Sequence, residues 1–79
     1  MSKTNMLNVR ACDNFKPLPD KSYRKFDGGG LYLEVMSSGA KYWRFKYSYL
    51  KTEKRISFGV YPEISLSKAR ELRDAARLQ

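Results

Sequence analysis

Apolar and polar residues alternate strictly through three consecutive segments of the chain, "LYLEVM", "KYWRFKYSY" and "KRISFGV". Successive side chains of a β-strand point to opposite faces, so this period of two predicts three antiparallel strands with a dry face and a wet face. The residues of the dry parity are Leu31, Leu33 and Val35, then Trp43, Phe45, Tyr47 and Tyr49, then Ile56, Phe58 and Val60. We expect Tyr47 and Tyr49 to belong to the core.

The period changes after the "GVYP" segment. Four apolar residues follow helical spacing and a serine precedes them as N-cap, which predicts a helix over residues 65–79. The apolar residues are Leu66, Ala69, Leu72 and Ala76, and the candidate caps are Ser65 and Ser67. This apolar side is expected to cover the dry face of the sheet. Three arginines, Arg70, Arg73 and Arg77, are then expected on the side of the helix that faces away from the sheet.

The first 22 residues predict a short helix and a linker. "TNMLNVRAC" favours a helix over residues 4–12 with Thr4 as its N-cap. "DNFKPLPDKS" contains two prolines, which favour an extended linker. "YRKFD", residues 23–27, is a candidate edge strand that ends at a turn of three glycines.

The expected fold class is therefore α+β. A three-stranded antiparallel sheet within residues 23–62, with "YRKFD" as a candidate extra edge strand, is packed on one face by the C-terminal helix. At 79 residues the chain is expected to form a single domain. Because the predicted helix has no glycine or asparagine cap at its end, we expect the domain to come from a longer protein.

The charge is high and uneven. The chain carries 16 Lys and Arg against eight acidic residues, a net charge of +8. Residues 41–79 hold ten of the basic side chains and four of the acidic ones. A basic half of a folded domain indicates a polyanionic partner, either nucleic acid or an anionic surface.

Catalysis and membrane insertion find little support in the sequence. The chain has no histidine, which excludes Ser-His and Cys-His nucleophilic sites, and its acidic residues are dispersed. No metal site or cofactor is expected, and the single cysteine, Cys12, is expected to be a partly buried thiol. No apolar run is long enough to cross a membrane and no secretory signal is visible, so we expect a cytoplasmic protein without a membrane partner.

The wet face of the predicted sheet combines basic groups, hydroxyls and aromatic rings. Its residues are Tyr32, Tyr42, Arg44, Lys46, Ser48, Arg55 and Ser57, with Lys51 and Lys54 at the hairpin that joins the last two strands. Such a face suits contacts with phosphates and base edges, and a two-stranded ribbon is narrow enough to enter a DNA major groove. The alternative is an ordinary solvated surface.

Several motifs occur in a characteristic order. Asp27 precedes "GLYLEV", the strand "WRFKY" follows, and "FGVYP" leads to the helix start "SLSKAR". In this order, over residues 23 to 77, they resemble the N-terminal arm-type DNA-binding domain of phage and genomic-island integrases, which are tyrosine recombinases. The hairpin after Tyr49 lacks the glycine that is common in that family.

The resemblance implies double-stranded DNA as the partner. Such integrases hold arm-type repeats with this domain, while separate domains bind and cut the core site during integration or excision. The catalytic residues would then lie beyond Gln79, so this chain is not expected to be an enzyme by itself. Other integrase protomers and accessory DNA-bending or excision factors are further expected partners, in the nucleoid of a bacterial host.

Two other functions fit parts of the pattern. A double-stranded RNA-binding domain has a similar order of elements and uses basic residues at the start of its second helix. In that case the helix arginines would dominate binding. A module for protein contacts within a recombinase assembly would instead bind DNA weakly and without sequence preference.

Overall fold

The computed structural model describes residues 5–77 and contains two helices and four strands. In chain order they are α1 (Val9–Asn14), β1 (Tyr23–Gly28), β2 (Leu31–Val35), β3 (Lys41–Tyr49), β4 (Thr52–Tyr61) and α2 (Leu66–Arg77). The strands form one antiparallel sheet in the order β1-β2-β3-β4. The candidate edge strand is thus β1, and the sheet has four strands rather than the three expected.

The core lies between the sheet and α2. Leu31, Leu33 and Trp43 are fully buried from the sheet, and Leu66 and Ala69 meet them from the helix. These positions were predicted by the two periods in the sequence, and their burial confirms which face the helix covers. The Trp43 indole also donates a 2.7 Å hydrogen bond from Nε1 to the carbonyl oxygen of Ile64, which ties β3 to the segment before α2.

Helix α2 begins where the sequence predicted it to begin. The Ser65 hydroxyl oxygen accepts a 3.1 Å hydrogen bond from the backbone N–H of Lys68, so Ser65 is the N-cap. Two of its arginines differ from the prediction: Arg73 is buried and Arg70 is half-buried. They turn toward the sheet because the carboxylate of Asp27 is buried beneath the helix and binds both guanidinium groups. Arg77 is exposed, but it too reaches the sheet rather than facing away from it, because its Nη1 atom would lie 2.7 Å from a Cβ added at Gly29 in the β1–β2 turn.

Helix α1 starts later than predicted. Its N-cap is Asn8, whose side-chain oxygen accepts a 2.8 Å hydrogen bond from the N–H of Ala11. The predicted cap, Thr4, lies outside the described residues, as do the last two residues of the predicted C-terminal helix. Cys12 is completely buried in the core, which is deeper than the partial burial expected.

A β-bulge in β4 reverses the predicted parity at one end of that strand. Gly59 pairs with Trp43 and Ser57 pairs with Arg44, so Phe58 is the extra residue. Beyond the bulge Gly59 faces the helix side, while Val60 shares the opposite face with its partner Tyr42. The prediction that Val60 belongs to the dry face is therefore wrong.

The β3–β4 hairpin extends beyond the rest of the sheet. The β2–β3 ladder ends at Phe45, whereas β3 and β4 remain paired as far as Tyr49 and Thr52. An open hollow separates this extension from the C-terminal end of α2, and Tyr47, Ile56 and Ala76 are among its lining residues. Because α2 does not cover the extension, Tyr47 is only half-buried and Tyr49 is 57% exposed. The prediction that Tyr49 is a core residue is wrong.

Candidate nucleic-acid interface

The face of the sheet opposite α2, here called the open face, carries most of the predicted site residues. Directly opposed residues in neighbouring strands share a face, so the register defines its membership. The residues on it are Arg24, Phe26, Tyr32, Glu34, Tyr42, Arg44, Lys46, Ser48, Glu53, Arg55, Ser57 and Val60. Four basic side chains therefore share one surface with two acidic ones.

The structure brings together the predicted residues of β3 and β4. Arg44 pairs with Ser57, and Lys46 pairs with Arg55, so these four side chains form a compact block on the open face. Ser48 continues it toward the hairpin, opposite Glu53, and Tyr42 begins it at the other end of β3. This grouping places basic and hydroxyl groups side by side along a two-stranded ribbon.

The two hairpin lysines occupy different positions. Lys51 lies in the two-residue turn with Leu50, and both have positive φ angles, +66° and +50°. Lys51 is thus at the outermost point of the hairpin. Lys54 lies within β4 opposite Tyr47, so its side chain leaves from the helix side of the ribbon rather than from the open face.

Tyr32 is on the predicted face, but it is completely buried. The Phe26 ring packs against it at a centroid distance of 5.3 Å, and the Arg24 guanidinium carbon lies 5.3 Å from the centre of the Tyr32 ring. The expectation of an exposed aromatic ring at this position is wrong for the structure as it stands. Arg24 and Phe26, the residues that cover Tyr32, belong to β1. The alternation of the three predicted strands did not assign the residues of β1 to either face of the sheet.

Three cations of the open face lie over aromatic rings. Besides Arg24 over Tyr32, the Lys46 ammonium lies 5.2 Å from the centre of the Phe26 ring, and the Arg44 guanidinium carbon lies 5.7 Å from that of Tyr42. Such contacts are attractive and leave the positive charge available to a second partner. They also restrict long side chains that would otherwise lose more rotamer freedom when they bind an anion.

Glu34 is the acidic group at the centre of the open face, and its charge is balanced there. The Arg44 Nε atom lies 2.7 Å from Glu34 Oε1, and Ser22 donates a 3.3 Å hydrogen bond to Oε2. This ion pair reduces the repulsion that a carboxylate would exert on a phosphate backbone. It also means that Arg44 would have to share or exchange this partner in order to bind an anion.

Sequence analysis missed two members of this interface, Arg24 and Phe26. Both lie on β1, opposite Glu34 and Tyr32 respectively. The alternation of "YRKFD" is a signal that could have placed them, because Tyr23 and Lys25 have the other parity. The pairing of β1 with β2 shifts register between Phe26 and Gly28, so Asp27 has no partner in it. This irregularity shortens the alternation and makes it hard to recognise from the sequence alone.

The part of the chain that is described forms neither a cluster of metal ligands nor a membrane-spanning helix. No three Cys, Asp or Glu side chains within residues 5–77 are grouped so as to hold a metal ion. Neither described helix is long and apolar enough to cross a membrane.

An antiparallel sheet with one face covered by a helix and the other basic and aromatic is an arrangement suited to sheet-based nucleic-acid binding. Comparison with protein families makes the assignment specific: the model of the Arm DNA-binding domain family matches residues 7–79. The chain belongs to this family, which confirms the resemblance drawn from its motifs and supports DNA binding as its function.

Its relatives are phage and prophage integrases. The chain is 51% identical over 73 residues to the integrase of Enterobacteria phage P4, with 90% of this chain and 16% of that protein covered. It is 46% identical over 78 residues to the prophage integrase IntA of Escherichia coli, with 96% of this chain and 19% of that protein covered. It is 42% identical over 72 residues to the integrase of Shigella phage Sf6, with 91% of this chain and 18% of that protein covered. The chain thus spans less than a fifth of the length of these relatives.

Proposed function

We propose that the open face binds arm-type repeats in double-stranded DNA sequence-specifically, as the arm-binding domain of a site-specific tyrosine recombinase. The observation that carries this proposal is the concentration of Arg24, Arg44, Lys46 and Arg55 on one face of the sheet. Family membership supports DNA as the partner, and the register that groups these four cations supports the open face as the surface.

The β3–β4 hairpin is the element that enters the major groove in this proposal. A two-stranded ribbon fits a groove about 12 Å wide, and this one projects past β2, so neither neighbouring strand nor helix obstructs its outer part. Arg44 and Arg55 are then in position for base edges, where a bidentate contact to guanine is the commonest specific interaction. Lys51, at the turn, meets a flanking phosphate.

The role of the domain within a full integrase follows from this contact. By holding arm-type repeats away from the crossover point, the domain positions the recombinase for integration or excision. The catalytic and core-binding domains belong to other parts of such a protein, and neighbouring protomers or accessory DNA-bending factors would meet the domain on DNA.

A salt titration of binding to three duplexes tests the proposal. One duplex carries the repeats that flank the element's attachment site, the second is scrambled DNA of equal length, and the third is double-stranded RNA. We expect a preference of about a thousand-fold or more for the repeats. Equal binding to both DNAs that disappears as salt rises would contradict sequence specificity and favour the protein-contact alternative.

Substitutions then locate the surface. Arg44→Ala and Arg55→Ala are each expected to cost about 1–3 kcal/mol on the repeat duplex and to relax preference at one base position. Lys68→Ala is the matched control, because it removes the same charge from an exposed position on α2, behind the sheet. Unchanged affinity in both arginine variants would exclude the open face as the reading surface.

The contacts of the α2 arginines make the double-stranded RNA-binding alternative less favourable. It requires the arginines of α2 to be available for phosphates, yet Arg70 and Arg73 are engaged with the buried carboxylate of Asp27. A preference for the RNA duplex in the titration would nevertheless overturn the DNA proposal.

A further inference from the structure

The Tyr32 hydroxyl is buried without a hydrogen-bond partner among the described residues. Buried polar side-chain atoms are normally paired, because a hydroxyl removed from water without compensation raises the free energy of the folded state. This one belongs to the second of four strands and lies on the face proposed to meet DNA. It therefore needs an explanation that packing alone does not provide.

The cross-strand partner of Tyr32 carries a second buried atom without a hydrogen bond. Among the described residues, Tyr32 Oη and Arg44 Nε are the two buried side-chain polar atoms without a hydrogen bond. Arg44 Nε is close to Glu34 Oε1, at 2.7 Å, but that contact is an ion pair without hydrogen-bond geometry. Tyr32 and Arg44 are direct cross-strand partners. The cross-strand pair thus holds one hydroxyl without a hydrogen-bond partner and one guanidinium nitrogen that is held by an ion pair with Glu34.

The surroundings of the pair are suited to an electron-rich partner. The Arg24 guanidinium lies over the Tyr32 ring from β1, and Arg55 approaches from β4. The pKa of the exposed Arg55 is raised, first because its guanidinium approaches the Tyr32 hydroxyl oxygen as a hydrogen-bond donor, although the geometry falls short of a full hydrogen bond. Guanidinium groups on β1, β3 and β4 are therefore neighbours of Tyr32, and the nearby carboxylate of Glu34 is already paired with Arg44.

We propose that Tyr32 and Arg44 form a concealed subsite for a hydrogen-bond acceptor on DNA, to which the Tyr32 hydroxyl donates once Arg24 moves outward onto a phosphate and Arg55 onto a base edge. The acceptor is a phosphate oxygen or the O6 or N7 atom of a purine, which share the same chemistry. This inference rests on the proposed function, and it adds Tyr32 as a specificity-determining residue and Arg24 as its cover.

The Arg24 and Arg55 side chains can move away from Tyr32 at a small cost in free energy. Arg24 and Arg55 are both exposed, and within the described residues neither is held by a salt bridge. Phosphates attract guanidinium groups more strongly than the face of an aromatic ring does, because the contact is charge-assisted and bidentate. Approach of the DNA backbone therefore favours the conformation in which the hydroxyl becomes accessible.

Tyr32→Phe tests the subsite, because it removes the hydroxyl and leaves the ring in place. We expect about tenfold weaker binding to the repeat duplex, while thermal stability stays unchanged or rises because an unpaired buried group has been removed. A merely structural tyrosine would show the opposite combination. Loss of affinity for the repeats alone identifies a base edge as the acceptor, and an equal loss on scrambled DNA identifies a phosphate.

Tyr23→Phe is the matched control. Its hydroxyl donates to the carbonyl oxygen of Lys16, and its side chain lies on the helix side of β1. This variant is expected to bind DNA as the parent chain does and to be slightly less stable. If Tyr32→Phe binds the repeats as tightly as the parent while Arg55→Ala weakens binding, the subsite is refuted and the open face survives. If neither Tyr32→Phe nor Arg55→Ala changes the affinity for the repeats, the proposal that the open face binds DNA is contradicted as well.

Discussion

Arg70 binds Asp27 through two contacts, although 43 residues separate them in the sequence: Nε lies 2.9 Å from Oδ2 and Nη2 lies 2.9 Å from Oδ1. The same carboxylate accepts a 3.2 Å bond from Nη1 of Arg73 and a 2.8 Å bond from the backbone N–H of Leu7. Arg70 Nη2 also donates to the Leu7 carbonyl oxygen at 2.6 Å. One buried carboxylate thus joins β1, α2 and the segment before α1.

Removal of the Asp27 carboxylate should strongly lower the free energy of unfolding. Asp27→Ala leaves a buried guanidinium without its partner, and breaking such a pair typically costs about 3–5 kcal/mol. Urea denaturation measures the loss of unfolding free energy. Asp74→Ala is the matched control, because Asp74 accepts a 2.8 Å bond from the same Arg73 but is exposed, and we expect it to cost much less than Asp27→Ala. Similar costs in the two variants would show that burial of Asp27 is not what matters.

Tyr61 should make the stability of the domain depend on alkaline pH. Its hydroxyl donates to Asp13 Oδ1, and this bond, together with burial, raises the pKa of Tyr61 to about 12. The folded-state pKa exceeds the value of about 10 expected for an unfolded chain, so the stabilisation is complete below about pH 10 and is lost as the pH rises toward 12. Unfolding free energies measured from pH 8 to 11 should fall less steeply in Tyr61→Phe than in the parent chain.

The control for that experiment is Tyr49→Phe, since Tyr49 is exposed at the end of the hairpin. It should retain the parent's pH dependence. An unaltered slope in Tyr61→Phe would mean that other groups cause the alkaline loss of stability.

Gly30 is required by both its conformation and its surroundings. Its φ is +95°, and an added Cβ would lie 2.5 Å from the carbonyl oxygen of Lys46. Gly39 has a similar φ of +97° with nothing within 4 Å of such a Cβ. Gly30→Ala should therefore lower the unfolding free energy by about 1–3 kcal/mol more than Gly39→Ala, since only the first adds a clash to the backbone strain. Equal losses in thermal or urea unfolding would exclude the contact with Lys46.

Lys51 should act on DNA through charge alone. Loss of one phosphate contact lowers the slope of log affinity against log salt by about 0.9, and it weakens the repeat and scrambled duplexes alike. Lys51→Ala is expected to show both effects in the titration, whereas Lys68→Ala should show neither. A loss confined to the repeat duplex would instead indicate that Lys51 contacts a base.

The local pattern was sufficient to predict the strands, the long helix and the main core. Leu33 and Trp43 are buried, Ser65 caps α2, and Lys46 and Arg55 share the open face, all as the two periods indicated. These features depend on side-chain direction within one element, which repeats every two or every 3.6 residues. The motifs that carry the family resemblance occur within the same elements, so the family too was visible from the sequence.

The sequence by itself therefore determined the elements, the covered face and the class of partner, because each follows from the spacing of a few neighbouring residues. Only the tertiary structure decided that Arg73 turns inward to Asp27, that Phe58 bulges and sends Val60 to the other face, and that β1 covers Tyr32. Each of these depends on a partner from another element. A buried carboxylate, one extra residue in a ladder and a neighbouring edge strand leave no period in the sequence, so they emerge only when the chain is folded.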